Sequence, residues 1–134
     1  MIDFPQIPPM EAIIDLHGEL LAEHGGARGL RDKGALEAAL SRPHQIFAYS
    51  EGDVTLFDLA AAVCVGICRN HPFVDGNKRA GFMALGVILG MNGVVLDVSE
   101  REAADTVVAL AAGDLTEEAF RDWVARNSFE DRPV

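Results

Sequence analysis

Residues 71–81 read HPFVDGNKRAG, and they stand between two of the greasiest stretches of the chain, LFDLAAAVCVGICRN at 56–70 and FMALGVILGMNG at 82–93. Leaving polar groups buried without partners costs about 1–3 kcal/mol each. A histidine, a carboxylate, a glycine, an amide and two cations at this junction therefore need an explanation. One reading is an ordinary polar turn between helices, with Asp75 as a cap and Lys78 and Arg79 in solvent. The other is a site built where two core helices meet.

The flanks set the frame. Residues 56–70 are apolar nearly all round, as a helix buried on several sides must be. Pro72 disfavours helical geometry at the preceding residue, so that helix ends at or just before His71. The next helix spans about 77–92, with Gly93 as its C-cap. Its Ala80, Ala84, Gly86 and Gly90 are small enough to admit a close neighbour.

Outward from this pair, Ile13, Leu16, Leu20 and Leu21 recur at helical spacing and predict a first helix over about 9–24, stopped at Gly25. A short second helix is capped by Asp32 and ended by Pro43. The stretch HQIFAYSEGDV at 44–54 mixes β-formers with turn residues and reads as a short hairpin or flap, or as a plain connecting loop. GVVLDV at 93–98 is the other segment of β character. Ser99, with Glu102 in capping-box position, starts a fifth helix, and Thr116 starts a sixth carrying Phe120, Trp123 and Val124. The expectation is an all-α bundle of about six helices, one domain over residues 1–134.

The formal charge of −10 argues against binding nucleic-acid backbone, which needs a basic surface. The sign reverses locally in CRNHPFVDGNKR, as a phosphate ligand would require. The start, MIDFPQIPPME, is acidic and proline-rich and resembles no signal peptide. Asn70, Asp75, Lys78 and Arg79 interrupt the longest apolar run, so no membrane span is expected. A cytoplasmic protein follows as the expectation. Cys64 and Cys68, at i, i+4, read as small buried hydrophobes of a reducing compartment, with a metal pair as the alternative.

The residue types at 71–79 suit phosphate chemistry. The first N–H groups of a helix starting near Asn77 would face the loop and attract an anion. Gly76 permits a concave nest of amides. Lys78 and Arg79 oppose the helix dipole, and a bound phosphate would supply a reason for them. Asp75 is a hard oxygen ligand suited to Mg²⁺. His71 can take a proton from a hydroxyl as a general base. Phe73 would peg the loop to the core.

The same string resembles the signature of the Fic/Doc superfamily, H-x-F-x-[D/E]-[G/A]-N-[G/K]-R. His71, Phe73, Asp75, Gly76, Asn77, Lys78 and Arg79 meet every fixed position. GLRDKGALEAALSRP at 29–43, LH at 16–17 and NGVVLDVSEREAADTVVALAAGDLTEEAF at 92–120 are similar to the death-on-curing (Doc) branch. The resemblance covers roughly residues 10–127 and implies a compact Fic fold. It implies His71 as the general base, Asp75 as the Mg²⁺ ligand, and the Gly76–Asn77 backbone together with the Asn77 side-chain amide as the anion nest. Lys78 and Arg79 would bind phosphates of ATP, and Arg69 would help. Lys78 stands where AMP-transferring relatives carry glycine, and Phe82 stands where they carry a second arginine. Both departures point to the Doc branch, whose toxins are kinases of elongation factor Tu. A small antitoxin partner restrains those toxins by folding into a groove beside the site. The built-in inhibitory pattern of other Fic proteins, [S/T]-x-x-x-E-[G/N], is absent, since Glu51-Gly52 is preceded by Phe47 at the hydroxyl position. The alternatives are AMP transfer to a protein hydroxyl and a non-catalytic nucleotide- or phosphopeptide-binding module.

Overall fold

The computed structural model describes residues 2–131. In chain order the elements are α1 (Met10–His24), α2 (Lys33–Tyr49), α3 (Leu56–Asn70), α4 (Asn77–Met91), β1 (Val94–Leu96), α5 (Glu100–Ala112), α6 (Glu117–Arg126) and β2 (Ser128–Glu130). The all-α reading holds, with six helices and one small antiparallel pair of strands.

Helix α3 is the axle. Every residue from Leu59 to Cys68 is buried, and α2, α4, α5 and α6 all pack on it. Leu59, Val63 and Ile67 each contribute about 1.5–3 kcal/mol by leaving water. The helix begins at a reciprocal capping box: Thr55 Oγ1 accepts from the Asp58 N–H, and Asp58 Oδ2 accepts from the Thr55 N–H. That pattern uses Asp in place of the usual Glu or Gln.

Two glycines set the spacing around the axle. A Cβ on Gly66 would lie 2.9 Å from the Ala39 Cβ of α2. One on Gly81 would lie 2.7 Å from Cys68 Sγ and 3.0 Å from the Cys64 carbonyl oxygen. The close approach of α4 therefore happens at Gly81 and along buried Ala80 and Ala84. Gly86 and Gly90, expected to serve it, are exposed with nothing near their missing side chains.

Pro43 does not end α2. The helix runs through it to Tyr49, so residues 44–49 of the expected flap are helical and no hairpin forms there. An interior proline removes a hydrogen bond and crowds the preceding turn, at about 3 kcal/mol. Packing offsets this. Pro43 is buried, and Arg42 donates to the Ala62 carbonyl at 2.8 Å and to Glu117 at 2.9 Å. Phe4 lies against the rings of His44 and Phe47. The remainder, 50–54, is a connector leading to the Thr55 cap.

The strand character at 93–98 is realised as β1, whose partner β2 pairs Val95 with Phe129. Asp32, Ser99 and Thr116 cap their helices as expected, each accepting from the N–H three residues on. Helix α4 stops at Met91, with Asn92 as C-cap and Gly93 following at positive φ. Among the described residues no helix is long and apolar enough to cross a membrane.

Candidate active site

The loop 71–76 joins the buried end of α3 to the start of α4. His71 is the C-cap of α3 in the left-handed region, φ 49° and ψ 59°, and its N–H reaches the Ile67 carbonyl at 3.2 Å. The next residue is Pro72, which cannot extend the helix. Phe73 then turns inward. It is 1% exposed, and its ring stacks on that of His17 with centroids 3.8 Å apart and an interplanar angle of 13°. Asn77 clasps the turn: Phe73 N–H donates to its Oδ1 at 2.9 Å, and its Nδ2 donates to the Phe73 carbonyl at 3.0 Å.

Gly76 is the N-cap of α4 at φ 72° and ψ 27°. The left-handed region is open to glycine at no steric cost. A Cβ there would also meet Leu21 Cδ2 at 3.2 Å. A left-handed residue followed by helical ones turns consecutive N–H groups toward one point, an anion-binding concavity. The amides of Asn77, Lys78 and Arg79 open the helix and lack intrahelical acceptors. The Ala80 N–H closes the first turn on the Gly76 carbonyl at 2.9 Å.

A second segment runs antiparallel beside this loop. The Ala27 N–H donates to Asp75 Oδ2 at 3.3 Å, and the Val74 N–H donates to the Gly29 carbonyl at 3.0 Å. Leu30 and Phe73 form a β-bridge, and the N–H groups of Arg31 and Asp32 both donate to the Pro72 carbonyl. The guanidinium of Arg31 reaches further, to the carbonyls of His71 at 2.8 Å and Asn70 at 3.0 Å. Gly26 and Gly29 make the close path possible, both at positive φ; a Cβ on Gly26 would lie 2.9 Å from Asp75 Oδ2.

The expected site residues divide into those that face solvent and those that build the frame. His71, Asp75, Lys78 and Arg79 are exposed around the mouth of the loop. Among the described residues Lys78 and Arg79 have no side-chain hydrogen bond or ion pair, and the first turn of α4 holds no acid to balance them. The Asp75 carboxylate takes one N–H on each oxygen, from Gly76 at 2.8 Å and Ala27 at 3.3 Å, with lone pairs left over. An exposed carboxylate with lone pairs to spare beside a nest of amides suits Mg²⁺, which takes one or two carboxylates and fills its shell with phosphate oxygens and water. Two positions carry contacts that the sequence does not suggest. The Asn77 side chain is committed to Phe73, so only its backbone N–H belongs to the nest. The Arg69 guanidinium donates to the Leu115 carbonyl at 3.2 Å, tying α3 to the turn before α6.

Both cysteines are buried free thiols with sulfurs 4.0 Å apart, against Gly81. The hydrogen bond with Cys68, together with burial, pushes the Cys64 thiol well up. Among the described residues no cluster of three potential metal ligands exists. They are core residues.

The sequence alone assigns no role to Arg31, Ala27 or the glycines at 26 and 29. His17 is 3% exposed and its Nε2–H donates to the Asp75 main-chain carbonyl at 2.8 Å. A buried ring stacked on the motif phenylalanine is a framing element. The signal available for the strap was its glycine spacing at 25, 26 and 29, which marks a chain that must pass close to another backbone.

Comparison with known proteins agrees with this geometry. The model of the Fic/DOC family matches residues 8–89, which contain α1 through most of α4 and the whole loop. The chain is 34% identical over 116 residues to a protein named Protein kinase doc from Escherichia phage P1, covering 87% of this chain and 90% of that one. It is 40% identical over 98 residues to Toxin Doc of Mycolicibacterium smegmatis, covering 73% of this chain and 71% of the relative. With its signature loop complete and most of its length matched, the chain belongs to the Fic/DOC family.

Proposed function

We propose that this protein is a Doc-type toxin, a kinase that moves the γ-phosphoryl group of ATP to a serine or threonine hydroxyl of a translation factor and so arrests translation. Elongation factor Tu is the expected acceptor. The observation that carries the reading is the 71–79 loop: within nine residues it holds an exposed imidazole, an exposed carboxylate and two exposed cations without an ion pair among the described residues, at the helix start whose first amides lack intrahelical acceptors. Two relatives bear the names of a kinase and a toxin.

The chain's own groups account for each need of the reaction. The nest, Lys78 and Arg79 seat the phosphates and balance their charge. Asp75 would hold Mg²⁺, which when bound neutralises charge on the phosphate oxygens. His71 accepts the hydroxyl proton as the acceptor oxygen bonds to the γ-phosphorus and the bond to the bridging oxygen breaks, releasing ADP. His17, Phe73, Asn77 and the 26–32 strap fix these groups in place, and positioning supplies much of the rate in phosphoryl transfer. Lys78 and half-buried Phe82 depart from the AMP-transferase pattern at both diagnostic positions.

The partner is a small cytoplasmic antitoxin. A groove of 580 Å³ between α1 and the strap, lined by Ile14, Asp15, Arg28 and Leu30, has His17 and Phe73 in its floor. A segment folding there would rest on the residues that frame Asp75. Expression of the chain alone tests the reading. It should stop growth, and His71→Ala at equal soluble level should not. Unimpaired growth at high soluble expression of the wild type would favour a binding module without activity.

A further inference from the structure

His71 is the one non-glycine residue at positive φ among the described residues. The left-handed conformation strains a non-glycine residue, because its Cβ crowds the following carbonyl oxygen. Its place before Pro72 adds to the cost, because proline pushes its predecessor toward extended geometry. Strain of this kind persists only where surrounding contacts over-determine it. The His71 N–H is held by the Ile67 carbonyl and the Asp32 N–H reaches the Pro72 carbonyl, but most of the contacts come from one residue. Arg31 donates from Nε to the His71 carbonyl at 2.8 Å and from a terminal guanidinium nitrogen to the Asn70 carbonyl at 3.0 Å. Its backbone N–H donates to the Pro72 carbonyl at 2.7 Å. Three consecutive carbonyls are thus held by Arg31. Two of them end α3, where the helix dipole favours a cation.

We infer that Arg31 is a positioning residue for His71: its guanidinium locks the left-handed turn and so aims the imidazole over the nest. This rests on the proposed role of His71 as the base. Arg31 acts through the backbone it holds, so its loss should affect the rate of the chemical step and leave substrate binding alone. A lysine has donors but no planar fork, and can hold one carbonyl at a time.

The test has a structural arm and a kinetic arm. The three-bond coupling between the His71 amide and Hα protons reports its φ in wild type and in Arg31→Met. The expected result is a wild-type value fitting φ near 50° and a changed value in the variant, with the fold otherwise retained. In the kinetic arm, γ-phosphoryl transfer to elongation factor Tu should lose about 10–100-fold in kcat in Arg31→Met, the scale of an ångström-sized misplacement, with KM for ATP unchanged. Arg31→Lys should fall between, and it decides the matter if Arg31→Met fails to fold. An unchanged His71 coupling in either folded variant, or a loss carried by KM with kcat intact, overturns the inference. His71→Ala run alongside separates the two ideas. Full activity there removes the base assignment, whereas an inactive His71→Ala beside a fully active Arg31→Met removes only the role of Arg31.

Discussion

Replacing Asn77 by alanine separates a structural clasp from a ligand. In the folded protein both ends of its side-chain amide are taken by the N–H and carbonyl of Phe73, a residue 1% exposed. Alanine leaves those two backbone groups without partners away from water, at about 1–3 kcal/mol each. It returns about 0.5 kcal/mol through better helix propensity at the first position of α4. The net loss should be about 1.5–5.5 kcal/mol, which for a chain of this size is a fall in Tm of about 5–20 °C. Thermal unfolding followed by circular dichroism reads this directly, and urea unfolding should show a lower midpoint at unchanged slope. A shift below about 3 °C together with strong loss of nucleotide binding would refute the reasoning and return the Asn77 side chain to the phosphate site.

Two other outcomes follow from the packing and the site. Gly81→Ala would place a Cβ 2.7 Å from Cys68 Sγ and 3.0 Å from the Cys64 carbonyl, so it should cost about 1–3 kcal/mol by overpacking, measured by urea unfolding. A wild-type midpoint would show that α4 can move away freely. Asp75→Asn removes the charge of the only carboxylate in the motif, and the loss of about 1.5–3 kcal/mol of charged-ligand interaction should raise the Mg²⁺ requirement for nucleotide binding roughly tenfold or more. Titration calorimetry with Mg²⁺ and ATP checks it, and full binding in chelator would exclude the metal role.

Much of this architecture was legible because it is local. Pro72 stops α3 one residue before it, at the histidine, and Asp32, Ser99 and Thr116 each cap the helix that follows. Where distant contacts decide, local rules misled. Pro43 reads as a helix end, yet burial and the reach of Arg42 to Ala62 and Glu117 carry α2 through it. The Ser128–Glu130 strand exists only because Val94–Leu96 lies beside it, and nothing in SFE says so. The motif residues were visible as types, but not their division of labour. Asn77 looks like a ligand until its partner four residues back is seen. Arg31 lies 40 positions from His71, and no periodicity connects them.

The position of the transferred label tests the central claim most directly. Purified wild-type protein, elongation factor Tu and Mg²⁺ are incubated with ATP labelled at the γ-phosphate or at the α-phosphate. The account predicts that the factor takes up γ-label and no α-label, and that His71→Ala abolishes the uptake while remaining folded. Transfer of the α-label, or γ-transfer that survives in folded His71→Ala, would contradict it.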